Sequence, residues 1–347
     1  MTASIPDGLV RDDLPREASF SVSEVPHRAK LDQNESPFEP PPAIKRHLLD
    51  ELGRLAWNRY PQPARYAAIK ARFAEVIGQP PERVVLTVGC DQMILCAYWA
   101  AGGPGRRARV FEPAYPMFGY YAQITGTELD RVVLGADFEV EDPGDPVHLL
   151  HLVSPNNPTG GGPGRELVRE ALGRGGLVFV DEAYADYAGE SVVDLVPQHP
   201  NLLVGRSLSK SMLAGARLGY GVGHPELIAL LERLLFAPYH LSALQLTVAA
   251  CFDRIHPLLA ERVQRVVAER DRVARALAAL GVRVWPSRAN FLLFQPADAD
   301  AVYRGLLHRG VRLRNVSSMP GLDNHLRVTI GTAEENDLFL EALGQAV

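Results

Sequence analysis

The chain has 347 residues, 47% of them hydrophobic and 22% charged, and carries a formal net charge of −5. That length allows two domains with sizeable cores, and the mild acidity gives no general pull toward nucleic acid or an anionic membrane, so neither is expected as a partner. No apolar run approaches the ~20 residues that span a bilayer, and the scattered Cys90, Cys96 and Cys251 suit neither a disulfide framework nor a zinc site.

Residues 1–15 carry acids and prolines where a secretory signal would be basic and then apolar, which points to the reduced cytoplasm. Residues 1–42 lack sustained periodicity and end in Pro40-Pro41-Pro42, so they read as an extended N-terminal arm. Ile44, Leu48, Leu49, Leu52 and Leu55 fall close to one face of a helix over 43–55, and a second helix over 64–77 is closed by Gly78. From there β-rich runs at 84–88, 109–111, 129–134, 147–153, 177–180, 202–204 and 219–222 alternate with stretches of helical composition such as 92–101 and 166–172. This alternation predicts an α/β fold: a mostly parallel sheet flanked by helices, in a large domain over 43–250. A long amphipathic helix over 258–280 would bridge the large domain to a smaller one. Strands at 282–285, 291–294, 311–314 and 326–330, with helices at 299–308 and 334–343, predict a small α+β domain over 251–347, the arm packing nearby.

Ligands of open α/β sheets bind outside the carboxyl ends of the strands, so the residues just past each predicted strand carry the chemistry. Thr87-Val88-Gly89-Cys90-Asp91-Gln92 opens a helix directly after a strand. Its backbone N–H groups suit a phosphate approached closely over Gly89, or else Asp91 is a plain N-cap. Tyr115, in Glu112-Pro113-Ala114-Tyr115, either lies flat against an aromatic ring or packs as ordinary core. Ser154-Pro155-Asn156-Asn157-Pro158-Thr159-Gly160 is a rigid turn, alone or as a device that aims the Asn157 amide into a crevice. Val180-Asp181-Glu182-Ala183-Tyr184 sets Asp181 at the end of a buried strand. There it can pair with a protonated pyridine nitrogen or bind a metal, and no histidine cluster supports a metal. Lys210 stands among hydroxyls in Arg206-Ser207-Leu208-Ser209-Lys210-Ser211, ahead of Arg217. It is either a surface lysine in a polar turn or an amine that forms a Schiff base with pyridoxal 5'-phosphate (PLP), whose phosphate Ser207, Ser209 and Arg217 would serve. The motifs in this order favour the second alternative.

With these motifs the chain resembles the fold-type I PLP-dependent aminotransferases, most closely the histidinol-phosphate aminotransferases. The resemblance runs from Asn34-Glu35-Ser36-Pro37 through Arg59-Tyr60-Pro61 to Leu326-Arg327-Val328-Thr329. It implies that Lys210 forms the Schiff base and then moves the proton, that Asp181 holds the pyridinium nitrogen, and that Asn157 and Tyr184 hold the ring oxygen. Tyr115 would stack on the ring; the turn at Gly89, Cys90 and Asp91, with Ser207, Ser209 and Arg217, would hold the phosphate. Tyr60 would reach that phosphate from a neighbouring subunit, which makes the active unit a homodimer. Arg327 would grip the substrate's anionic group, helped by Arg314, while Asn34 and the segment Arg288-Ala289-Asn290-Phe291 line the substrate side. Arg312 and Arg314 alternate to one face of one strand, so which of them points inward stays open. The implied reaction is transfer of an amine from a small amino donor to a 2-oxo acid, with histidinol phosphate and 2-oxoglutarate as the leading pair. Aromatic or specialised-pathway amino acids, and a decarboxylase of the threonine-phosphate type, are the alternatives. Three departures stand out: the spacing from Lys210 to Arg217 is one residue short, Gly89-Cys90-Asp91-Gln92 replaces the usual Gly-Ala/Ser-Asp-Glu, and the arm before Asn34, which helps choose the substrate, has few matching positions.

Overall fold

A computed structural model describes residues 9–15 and 26–346. Of the arm expected over 1–42, residues 1–8 and 16–25 therefore lie outside the described residues. The described part contributes a short strand, β1 (Ala29–Lys30). Two helices come next, Pro42–Gly53 and Pro63–Val76, each starting on a proline, whose missing N–H costs nothing in a first turn.

Seven strands among the described residues then build one sheet: β2 (Val84–Thr87), β3 (Arg107–Glu112), β4 (Glu128–Val133), β5 (Leu149–Val153), β6 (Leu177–Asp181), β7 (Leu202–Ser207) and β8 (Gly219–Gly223). Their order is β2-β8-β7-β6-β5-β3-β4. Only β8 runs against its neighbours. The carboxyl ends of the other six strands thus share one edge with the amino end of β8, and the strand-end motifs of the sequence all sit on that edge. Side chains alternate between the two faces: Val178 and Val180 of β6 join one apolar core, Phe179 the other. Both faces are covered by helices, so the central strands are buried almost throughout and mostly apolar, as in β5 and β6.

The second apolar centre gathers around β9 (Arg283–Val284), β10 (Phe291–Gln295), β11 (Val311–Arg312), β12 (Arg314–Asn315) and β13 (Leu326–Thr329). Four of these form an antiparallel sheet of order β12-β13-β10-β9, while β11 pairs in parallel with β1 of the arm. The single strand expected over 311–314 is therefore two. The chain changes sheet at Leu313, which is buried, because the backbone groups of residues 311–312 bond the arm and those of 314–315 bond β13. Helix Pro257–Ala279 spans both centres: Leu259 enters the core under the large sheet, and Val266, Val273 and Leu277 pack with Phe291, Phe294 and Phe339. Ala29 and Leu31 of the arm belong to that second core, as do Tyr184 and Tyr187. No helix among the described residues is long and apolar enough to cross a membrane.

Candidate active site

A cavity of about 400 Å³ opens at the shared strand edge. Its wall contains Asn34, Cys90, Asp91, Tyr115, Asn157, Asp181, Tyr184, Ser207, Ser209, Lys210, Arg217 and Arg327, so most of the residues singled out in the sequence converge on one space.

The phosphate-type turn comes directly after β2. Gly89 adopts φ +71°, and a Cβ there would sit 2.9 Å from Arg217 Nη2, so only glycine lets the guanidinium lie over the start of helix Gly89–Ala101. Gly219 of β8 is equally constrained, since a Cβ would fall 2.6 Å from the Gly89 carbonyl carbon. Asp91 is not the N-cap: Val88 holds that position and no side chain caps it. Instead the Asp91 carboxylate accepts from Tyr115 Oη at 3.0 Å and Arg217 Nη2 at 3.0 Å, tying ring and cation to the turn. Burial, with Asp91 beside it, holds the Tyr115 hydroxyl above its ordinary value, so it remains a donor.

Past β5, Asn156 secures the turn by donating from Nδ2 to Pro113 O at 2.9 Å and Thr159 Oγ1 at 3.0 Å. Asn157 is left facing the cavity, and its Oδ1 accepts from Arg327 Nη1, which directs its amide N–H groups to the ligand space. Past β6, Asp181 is buried, and burial pushes its carboxyl up to about 6. Its Oδ1 accepts from Ala183 N at 2.9 Å and from the Cys90 thiol at 3.5 Å. The neighbouring Glu182 turns away, accepting from Val192 N at 2.7 Å and Arg206 Nη1 at 2.8 Å. The acidic pair is thus divided, and no cluster of metal-ligating side chains occurs among the described residues.

Past β7, the backbone makes a π-type turn over Ser209–Leu213 that carries Lys210. Tyr187 Oη donates to the Lys210 carbonyl at 2.7 Å, and Lys210 Nζ donates to Gln33 O at 3.2 Å. The amine lies 5.8 Å from the Tyr184 ring centroid, and Tyr184 Oη accepts from Asn34 Nδ2 at 3.0 Å. Ser209 Oγ accepts from Arg217 Nη1 at 3.1 Å. Arg217 reaches the cavity despite the shortened spacing, taking a left-handed φ of +50° two residues before β8.

On the opposite wall Arg327 is buried, held by Asn157 Oδ1 and by the Asp32 carbonyl, 2.6 Å from Nη2. Burial draws its guanidinium down to about 10, and the charge of Arg314 acts in the same direction. Arg314 is the register partner of Arg327 across β12 and β13. Arg312, expected to share its face, instead donates to Asp32 Oδ2 at 2.7 Å, because it belongs to the other sheet. Arg288 does not line the cavity either; it pairs with Glu190 at 2.8 Å. Asn290 of that segment is buried and donates to Asn34 O at 3.0 Å. Tyr60 lies outside the cavity, 78% exposed.

Two contributors had no side-chain signature, the carbonyls of Asp32 and Gln33 that receive Arg327 and Lys210. Their place just before Asn34-Glu35-Ser36-Pro37 was the available signal. The set fits PLP: an amine for its aldehyde, a buried acid for its ring nitrogen, an amide and a phenol for its ring oxygen, and a glycine-lined helix start with hydroxyls and a guanidinium for its phosphate.

Comparison with known proteins agrees with this chemistry. The family model for aminotransferase class I and II matches residues 26–343. Histidinol-phosphate aminotransferase 2 of Cupriavidus pinatubonensis is 38% identical, the match covering 99% of this chain and 98% of the relative. The histidinol-phosphate aminotransferase of Thermoanaerobacter pseudethanolicus is 33% identical, covering 97% of this chain and 98% of the relative. Among solved structures, the histidinol-phosphate aminotransferase of Sinorhizobium meliloti in complex with pyridoxal-5'-phosphate shares the fold with a TM-score of 0.81 at 23% identity, over 92% of this chain and 91% of that one. That of Clostridium acetobutylicum shares it with a TM-score of 0.83 at 20% identity, over 91% and 98%. The chain belongs to the aminotransferase class I and II family and is a PLP-dependent aminotransferase.

Proposed function

We propose that this aminotransferase moves the amino group of histidinol phosphate to 2-oxoglutarate, as a cytoplasmic homodimer. The observation that carries the substrate is the pair Arg314 and Arg327, register partners on adjacent antiparallel strands, with Arg327 reaching the cavity beside Asn157. Arg314 is not itself among the cavity-lining residues, but its charge acts on Arg327, and two neighbouring positive charges suit a dianionic phosphate monoester better than a single carboxylate. The Cupriavidus and Thermoanaerobacter relatives, matched over nearly their whole length, are named histidinol-phosphate aminotransferases, which supports the amino donor.

When bound, PLP supplies an aldehyde that takes up the amine and a ring that accepts electron density. The chain's residues do the rest. Lys210 Nζ would be the amine for the PLP aldehyde and the group that holds or moves a proton beside it. Asp181 would hold a proton at the ring nitrogen, its Oδ1 already taken by Ala183 and Cys90. Asn157 and Tyr184 would donate to the ring oxygen, and Asn34 fixes the Tyr184 hydroxyl. Tyr115 would cover the ring. The backbone N–H groups of Cys90 and Asp91, with Ser207, Ser209 and Arg217, would hold the phosphate, and Tyr60 of a second copy would add a further donor.

Amine-exchange profiling of the holoenzyme tests this proposal. Histidinol phosphate with 2-oxoglutarate should yield one glutamate per turnover, with kcat/KM about 100-fold above that for histidinol or phenylalanine. Preference for aromatic amino acids would move the function to the aromatic alternative. Carbon dioxide release without glutamate would move it to a decarboxylase.

A further inference from the structure

Arg312 points away from the cavity, yet its side chain and that of Asp32 are only 6% and 8% exposed, and they are paired at 2.7 Å. A buried ion pair brings little net stability over well-packed apolar groups, whereas losing one partner strands the other. Its worth here lies in what it holds. The Asp32 carbonyl receives Arg327 Nη2 at 2.6 Å, and Asn157 Oδ1 receives Nη1. These two acceptors fix the plane of the Arg327 guanidinium. Asn157 is anchored by its rigid turn; Asp32 is anchored by Arg312.

The backbone shows the same dependence. Lys30 is the register partner of Arg312 in the β1–β11 pair. Leu31 N donates to Arg312 O at 2.7 Å, and Thr329 N donates to Leu31 O at 2.9 Å. Asp32 is the first residue beyond this ladder, and it joins the two arginines: its carboxylate accepts from Arg312 and its carbonyl from Arg327. Besides Arg312, the charged groups near Asp32 are Lys30, whose Nζ is 3.7 Å from Oδ1, and Arg327, on which the Asp32 charge acts; Arg312 Nη1 also lies 3.5 Å from His27 Nδ1. Lys30 is also paired with Glu35.

We propose that Arg312 is a positioning residue: acting through Asp32, it sets the orientation of Arg327 and thereby the enzyme's preference for a substrate bearing an anionic group. This rests on the proposed role of Arg327 as the anion clamp.

The test compares two donors, histidinol phosphate and histidinol, with holoenzyme of the wild type, Arg312→Lys and Asp32→Asn. Arg312→Lys keeps the charge and loses the fork; Asp32→Asn keeps the shape and loses the charge. Each variant should lower the kcat/KM ratio of the two donors about 10-fold or more, through a raised KM for histidinol phosphate with kcat within about threefold of wild type. The cofactor absorbance should be unchanged. Retention of the wild-type ratio in both variants overturns the proposal, as does an equal loss for both donors, which marks a general structural role. If the wild type itself does not prefer the phosphorylated donor, the anion-clamp reading fails first and this inference falls with it.

Discussion

Asp181 carries two opposed influences. Burial raises its carboxyl from 3.8 to about 6, while the Ala183 N–H and the Cys90 thiol on Oδ1 favour the charged form. A buried acid with a raised value stabilises the cofactor-free fold when neutral. That stability is whole below the unfolded value of 3.8 and is lost as pH climbs through about 6. The difference amounts to about 3 kcal/mol at neutral pH. Asp181→Asn should therefore raise the Tm of the cofactor-free protein at pH ~8 and change it little at pH ~4, as calorimetry at the two values would show. The same variant should cost the holoenzyme at least ~100-fold in kcat, because a neutral ring is a weaker electron sink. A loss below tenfold would leave Asp181 without its assigned role. Cys90 belongs to the same balance: burial and the Asp181 charge hold its thiol well above the ordinary value, so it stays a donor to Asp181 instead of a competing anion.

At the scale of elements, the strand-to-helix turn after β2 is the part most exposed to a single methyl group. Gly89→Ala places a Cβ at φ +71°, where it meets Arg217 Nη2 at 2.9 Å. The left-handed conformation costs about 1 kcal/mol, and the guanidinium must leave Ser209 and Asp91. PLP affinity should fall about 10-fold by equilibrium titration, with the Tm of the cofactor-free protein a few degrees lower. This turn was legible because glycine, a preceding apolar strand and a following helix coincide. The parallel strands were legible for a similar reason: buried on both faces, they are short apolar runs bounded by turn residues. Other elements were not. Helix Met117–Thr125 holds three aromatic residues and a glycine, all of modest or poor helix preference, and it is held in place by the buried Phe118, whose carbonyl receives the Tyr98 hydroxyl at 2.8 Å. The break at Leu313 depends on which neighbours supply hydrogen bonds, a choice made in three dimensions. It misled the comparison of Arg312 with Arg314. The carbonyls of Asp32 and Gln33 are common to any residue at those positions, so no residue type announces them.

At the scale of the whole molecule, the residue that the resemblance assigns to the phosphate, Tyr60, does not reach its own chain's cavity. It stands 78% exposed in a cluster with Tyr239 at 41% and Phe236 at 73%. The Tyr60 and Tyr239 rings meet edge to face at 5.7 Å, and Phe236 leans on Tyr239 at 5.3 Å. Grouped exposed aromatic side chains suit the interface of the proposed homodimer, in which a two-fold pairing would bring each Tyr60 to the other copy's site. A site built from two chains can be reconstituted from two defective ones. Lys210→Ala removes the reacting amine and should abolish turnover; Tyr60→Ala should lower activity and PLP retention while leaving the amine intact. In a hybrid dimer one site inherits both defects and the other inherits neither. Random assembly of equal amounts should therefore restore about one quarter of the wild-type activity per subunit, above the mean of the two separate variants, with dimers seen by sedimentation. Activity equal to that mean would confine Tyr60 to its own chain and remove it from the neighbouring site.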